Sequence, residues 1–328
     1  MSFADIIGQQ KQLATLRAAL AKGRLHHAYL FFGAEGVGKR TIALALARAL
    51  HCAGATGDFC GQCVNCRRIA DANHPDVRLV EPLAGKKEIG IQQIRELEKE
   101  LNYQSFTGGT KIIIIDPATL MNLSAQNALL KTLEEPPSHA MLILIAANAG
   151  ALLPTLRSRC LQISFGPLER ASVADYLVQK KGSKPQEAQV LAALSSGSLG
   201  LALRLSDSQL FEKRQIWAGM LTSLAAGDYR GASAAAEKLA GKKEESLKFL
   251  EWAETFYRDL LVYAAAQTPQ ETINLDMLPQ IQAQSAGAGI EHWLALFAQT
   301  VGAGARIQRN LNRRMVLEKL LFDVVGAR

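Results

Sequence analysis

An apolar run, Ala28-Tyr-Leu-Phe-Phe32, passes directly into Gly33-Ala-Glu-Gly36-Val-Gly38-Lys39 and then into an Ala/Leu-rich stretch. A strand, a glycine loop and a helix in that order form a P-loop. Its backbone N–H groups and helix N-terminus can cradle phosphates, and Lys39 adds a positive charge. Few features constrain a fold more. The motif needs a parallel sheet to carry the strand and a helix packed against that sheet. Two parts of the usual chemistry are missing. The Ser/Thr that should follow the lysine and hold Mg²⁺ is Arg40, with Thr41 one place late. The apolar run Lys111-Ile-Ile-Ile-Ile115 ends in Asp116-Pro117, without a second carboxylate to polarise an attacking water.

The rest of the first half alternates strand and helix. Strand-length apolar runs at 28–32, 77–80, 112–115, 141–146 and 161–165 are separated by helical stretches at 39–51, 90–101 and 123–135. This is the βαβ rhythm of an α/β domain with a largely parallel sheet. Pro136-Pro137 should stop the third helix. Beyond Gly166-Pro167 the pattern becomes short helices broken at Gly182 and Gly197. From about residue 208 onward apolar positions recur every three and four residues, as in Leu247, Leu250, Phe256, Tyr257 and Leu260. That is an amphipathic helical bundle. The expected organisation is an α/β P-loop domain at 1–166, a small helical lid at 167–206 and an all-helical domain at 207–328.

Four of the five cysteines cluster as Cys52, Cys60, Cys63 and Cys66. Two overlapping C-x-x-C steps and a fourth thiol at the end of the P-loop helix suit a tetrahedral Cys₄ zinc site, with Gly61 and Asn65 easing the turns. With four protein ligands such a zinc has no open position, so its role would be structural. Disulfides or unrelated free thiols are the competing readings, and a reducing compartment disfavours the first. The opening Met-Ser-Phe-Ala-Asp lacks a basic n-region and an apolar h-region, and no apolar run approaches bilayer length. A cytoplasmic protein is expected. The formal net charge of +7 is compatible with work near nucleic acid but does not require it. Lys86, Lys87 and Arg95 could meet phosphates or form a solvated basic face. Arg306, Arg309, Arg313 and Arg314 are expected on one C-terminal amphipathic helix with Ile307, Leu311, Met315, Leu317, Leu320 and Leu321. His26 and His27 are read as packing residues.

Six elements now stand in order: Phe3-Ala-Asp-Ile-Ile-Gly-Gln9, His26-His-Ala-Tyr-Leu30, the P-loop, the cysteines, Asn127-Ala-Leu-Leu-Lys-Thr-Leu-Glu-Glu-Pro-Pro137 and Ser158-Arg159-Cys160. Together they resemble the bacterial sliding-clamp loader subunits of the AAA+ class, which belong to the DNA polymerase III assembly. The resemblance covers about the first 205 residues at motif level. The tail resembles the family's helical collar in length and character only. It implies a hetero-oligomer with gamma/tau- and delta-type subunits that meets a sliding clamp and primed DNA. It also implies that Arg159 is an arginine finger, reaching a γ-phosphate in a neighbour's site.

Two subunit types share these motifs, an ATP-hydrolysing motor (gamma/tau) and a stator (delta-prime). The motor's acidic pair falls here on Asp116-Pro117, its first polar sensor on Ala147 and its second-sensor arginine on Gly200. With Arg40, four nucleotide-handling positions are altered, and the resemblance therefore points to the stator. Gly33, Gly36, Gly38, Lys39 and Thr41 would be the nucleotide contacts. Two readings of that loop stay open: ATP binding without turnover, or a glycine turn retained because it packs the helix on the sheet. The competing functions are an active motor with a rearranged magnesium site and a stand-alone zinc-knuckle protein that binds nucleic acid.

Overall fold

The structure is a computed structural model and describes residues 2–55, 57–207 and 209–326. It divides into two compact units, Met1–Val173 with Ser195–Leu201, and Ala174–Leu194 with Ala202–Arg328.

The first unit opens with α1 (Gln10–Ala21), β1 (Ala28–Phe32), α2 (Lys39–His51) and α3 (Val64–Ala70). It continues with β2 (Val77–Val80), α4 (Ile91–Leu101), β3 (Lys111–Ile115), α5 (Leu123–Glu134) and β4 (Ala140–Ala146). The short α6 (Pro154–Arg157) and β5 (Leu161–Ser164) complete the sheet. All pairings are parallel, in the order β2-β3-β4-β1-β5. The central strands β3 and β4 are buried along their whole length. This is why they read as unbroken Ile/Leu runs rather than as an alternation.

Alternate residues of each strand feed two cores. Tyr29, Phe31, Ile112, Ile114, Ile143 and Ile145 pack on one face with Leu46 and Ala43 of α2 and with Phe59, Cys66 and Ile69. Leu30, Ile113, Ile115, Leu142 and Leu144 pack on the other with Ile94 and Leu97 of α4 and Leu129 of α5. The result is a three-layer α/β/α unit whose glycine loop leaves the C-terminal end of β1. Helix α5 begins where the Asn122 side chain accepts from the Ala125 N–H at 2.9 Å. It stops at Glu134, ahead of Pro136-Pro137.

The chain then forms α7 (Arg170–Lys181), α8 (Pro185–Leu194) and α9 (Leu199–Ser206), with Gly182 and Gly197 in the left-handed region between them. The second unit contains α10 (Leu210–Ser223), α11 (Tyr229–Leu239), α12 (Lys243–Ala266), α13 (Leu278–Ser285), α14 (Ile290–Gln308) and α15 (Arg313–Gly326). Its core is aromatic, with Trp217, Phe249, Trp252 and Phe256 in mutual ring contact. Fully buried Arg214 is held there by Asn274 Oδ1 at 2.8 Å and Asp276 Oδ1 at 2.6 Å.

One expectation needs correction. The C-terminal basic helix is two helices, because Asn310 adopts a left-handed φ of 63° between α14 and α15. Arg306 ends one, Arg313 and Arg314 begin the next, and Leu311 and Met315 are exposed rather than core. Among the described residues no helix is long and apolar enough to cross a membrane.

Candidate functional site

The glycine loop adopts the expected backbone. Gly33, Gly36 and Gly38 have φ of 144°, 73° and 102°, and Gly38 caps α2 without a side-chain bond. At Gly33 the fold leaves no alternative, since a Cβ there would lie 2.1 Å from the Phe165 carbonyl oxygen. Gln9 ties the loop to its surroundings by donating to the Val37 carbonyl at 3.3 Å and the Gly166 carbonyl at 2.6 Å.

The two cations of this loop are already partnered within the chain. Lys39 is buried, and its ammonium donates to the Gly33 and Ala34 carbonyls at 2.5 and 2.6 Å. Burial lowers its pKa below the ordinary lysine value, opposed by the Asp116 and Glu35 carboxylates. Arg40, at the position of the magnesium-holding hydroxyl, pairs with Asp116 through Nε and with Glu81 through Nη2, the latter at 2.6 Å. Partial burial works against this guanidinium charge, but the two carboxylates outweigh it and raise its pKa. A divalent cation at the end of β3 would have to displace a cation that the fold itself supplies. Thr41, one residue on, is exposed.

Gly200 closes the loop further. Its N–H donates to the Gly36 carbonyl at 2.9 Å, and a Cβ on Gly200 would lie 2.8 Å from the Gly36 Cα. Neither a second-sensor arginine nor an alanine fits there without moving backbone. Ala147, in the place of the first sensor, is exposed just past β4 and carries no polar group. The N-terminus of α2 keeps the geometry of an anion site, while the Asp116 and Glu81 carboxylates beside it are engaged by Arg40.

The four cysteines do come together. Their sulfur atoms all lie within 4.8 Å of one another. Three successive N–H···S bonds build the knuckle: Cys60 to Cys52 at 3.3 Å, Cys63 to Cys60 at 3.3 Å and Cys66 to Cys63 at 3.5 Å. The Cys66 N–H above all lowers the Cys63 thiol to about 6, whereas burial pushes Cys66 up to about 12. A set of four converging thiols with donors on their sulfurs fits a soft tetrahedral cation. Gly61 supplies a left-handed turn, as its φ of 71° requires. Asn65 does not ease a turn. It lies in α3 and donates to the His51 carbonyl at 2.8 Å, joining the knuckle to the end of α2.

Arg159 lies between α6 and β5 with a half-exposed side chain. Its Nη1 donates to the Thr155 carbonyl at 2.8 Å, and its Nη2 pairs with Glu134 Oε1 at 2.6 Å. Neighbouring Cys160 is buried, and that burial pushes its thiol up to about 12, so it is an inert packing residue. His26 and His27 stack at 4.3 Å beside β1, with His27 on the Leu133 carbonyl, which suits packing. Lys86, Lys87 and Arg95 are exposed. Sequence reasoning missed the partners of Arg40 and Arg159, because both pairs form between residues distant in sequence.

The profile of the family described as "DNA polymerase III, delta subunit" matches residues 8–169. The chain is 33% identical over 249 residues to DNA polymerase III subunit delta' of Escherichia coli K12, covering 75% of this chain and 73% of that protein. It is 38% identical over 190 residues to subunit delta' of Pseudomonas aeruginosa, covering 57% and 58% of the two. It is 31% identical over 314 residues to subunit tau of E. coli K12, covering 93% of this chain and 43% of that protein. The chain thus spans less than two thirds of the length of tau and of the P. aeruginosa delta'. A gamma-subunit-related protein of Thermotoga maritima aligns over 96% of this chain and 98% of its own, with 20% identity and a TM-score of 0.46. The chain belongs to the DNA polymerase III clamp-loader subunit family that includes delta', gamma and tau.

Proposed function

We propose that this chain is the delta-prime-type stator of a bacterial replicative clamp loader, turning over no ATP itself and supplying Arg159 to a neighbouring subunit's nucleotide. The observation that carries this reading is that the cations and the backbone of its phosphate loop are already engaged within the chain. Lys39 is held by loop carbonyls, Arg40 by Asp116 and Glu81, and Gly36 is packed against Gly200. A hydrolytic site needs these positions free for phosphate, Mg²⁺ and a sensor. In the same unit Arg159 has a half-exposed guanidinium on the turn between α6 and β5. A planar fork of that kind can stabilise charge on a transferring phosphoryl group in trans.

The partners are the gamma/tau- and delta-type subunits, and through them the sliding clamp and primed DNA. The chain serves as an α/β P-loop-like domain at 1–166, a helical lid at 167–206 and a helical collar at 207–328 that joins it to the complex. Cys52, Cys60, Cys63 and Cys66 hold one structural zinc ion, which stabilises the insertion between α2 and β2 and takes no part in phosphoryl transfer. The second reading is a gamma/tau-type motor, favoured by the alignment with tau over 93% of this chain.

A turnover assay of the purified chain with ATP and Mg²⁺ separates the two, combined with clamp loading by the complex with and without it. The stator reading expects no turnover by the chain alone and loss of loading without it. Turnover that is abolished by Lys39→Ala would establish the motor instead.

A further inference from the structure

Within Leu-Glu-Glu-Pro-Pro137, Glu134 has no part in the nucleotide site described above. It is the last residue of α5, and Pro136-Pro137 fix where that helix stops. Its carboxylate meets Arg159 Nη2 at 2.6 Å, while Arg159 Nη1 is held by the Thr155 carbonyl at 2.8 Å. The two elements under this pair are locked together. Buried Gln126 of α5 donates to the Met121 carbonyl at 3.1 Å and accepts from the Leu153 N–H at 2.9 Å, and Leu156 of α6 is fully buried. Glu134 and Thr155 therefore stand at a set separation.

Each terminal nitrogen of a guanidinium carries two N–H groups. Nη1 is taken by the Thr155 carbonyl and, at 3.5 Å, by the Ser158 hydroxyl, and one N–H of Nη2 by Glu134, which leaves the second N–H of Nη2 and the Nε–H for an outside acceptor. The ion pair is half-exposed on both sides, and a pair that wet adds little to fold stability. Its consequence is orientation: a long flexible side chain is held in one pose, with charge and donors still on offer.

Resting on the stator reading above, we infer that Glu134 is the positioning residue of Arg159. It sets the guanidinium in the pose that meets the neighbour's transferring phosphoryl group and does not touch nucleotide itself. Removing Glu134 leaves Arg159 present but disordered, which weakens an interaction made in the transition state more than substrate binding.

The test uses the complete complex assembled with Glu134→Ala, Glu134→Gln, Glu134→Asp, Arg159→Ala or the Glu134→Ala/Arg159→Ala double variant. Single-turnover ATP hydrolysis is followed in the presence of clamp and primed DNA. For Glu134→Ala the expected result is hydrolysis at the Arg159 interface slower by about twofold to fivefold, with the ATP concentration for half-maximal rate unchanged. Glu134→Gln keeps an acceptor oxygen at the same reach and restores part of the rate. Glu134→Asp is too short to reach and does not. The double variant is no slower than Arg159→Ala, and Glu134→Ala leaves the thermal midpoint of the chain unchanged. A normal rate for Glu134→Ala beside a slow Arg159→Ala overturns this inference and leaves the finger standing. Additive losses in the double variant overturn it too, because Glu134 would then act elsewhere. If Arg159→Ala itself hydrolyses normally, the finger reading fails, and the role of Glu134 fails with it.

Discussion

On the structural-zinc proposal, removing the metal from the cysteine cluster should loosen a defined part of the first unit rather than unfold the chain. Cys52 and Cys66 are the outer ligands, so a bound ion closes the loop between them as a cross-link would. For a loop of about 15 residues the chain-entropy cost of closure is about 3 kcal/mol, and this stabilisation is lost when the ligands separate. The loop is not peripheral. Phe59 is buried against Phe3 with ring centroids 5.3 Å apart, Arg48 lies 5.7 Å over its ring, and Ile69 reaches the same core. Loss of the ion therefore exposes apolar surface as well as freeing backbone. At about 2–4 °C per kcal/mol for a domain of this size, the first transition should fall by roughly 6–12 °C. The assay is thermal unfolding of the full chain, with metal content by elemental analysis and amide exchange across residues 52–70. Wild type should carry one zinc ion per chain. Cys63→Ser should lose it, exchange quickly in that segment and keep normal protection in β3 and β4. A zinc-free wild type, purified without chelator and with full protection there, would refute the reasoning.

Other consequences are smaller in scope. Gly200→Ala places a Cβ 2.8 Å from the Gly36 Cα, and overpacking against backbone should cost about 1–3 kcal/mol, measured as a lower denaturant midpoint. An unchanged midpoint would show that the loop does not need this close approach. Arg40→Thr releases Asp116 and Glu81 and should give the chain measurable Mg²⁺-dependent nucleotide affinity by calorimetry without turnover, since Pro117 still stands in place of the second acid. Turnover by that single variant would contradict the account of the lost chemistry. Burial works to raise the Asp76 pKa, but bonds from Thr107, Phe106 and Ser105 outweigh it and hold it at about 2 rather than 3.8. A depressed carboxylate stabilises fully above its unfolded value. Roughly 2 kcal/mol should thus be lost as pH falls from about 4 to about 2, and Asp76→Asn should flatten that part of the stability profile.

Much of this architecture is legible in the amino-acid order because its signals are local. The strand–glycine–helix punctuation around Gly33–Lys39 brackets α2 at residues 39–51, and buried parallel strands read as the unbroken runs of β3 and β4. The cysteine cluster is legible from spacing, since two overlapping C-x-x-C steps at Cys60, Cys63 and Cys66 put three thiols on one short turn. What escapes is non-local or weakly punctuated. The seven-residue α3 is too short to show a period. The break at Asn310 carries neither glycine nor proline, so the apolar spacing from Ile307 to Leu321 mimics one helix. The partners of Arg40 lie 41 and 76 residues away, and Glu134 lies well before Arg159, so no window of sequence brings them together.

The central claim is that this chain assists phosphoryl transfer in a neighbour while performing none. The most direct measurement is clamp- and DNA-stimulated ATP hydrolysis by the full complex carrying either Lys39→Ala or Arg159→Ala in this chain. Lys39→Ala should hydrolyse at close to the wild-type rate. Arg159→Ala should assemble normally yet lose about the share of one active site, with Arg159→Lys behaving as a loss because charge without the planar fork does not suffice. Lys39→Ala crippling hydrolysis while Arg159→Ala is neutral would make this chain a motor and contradict the account.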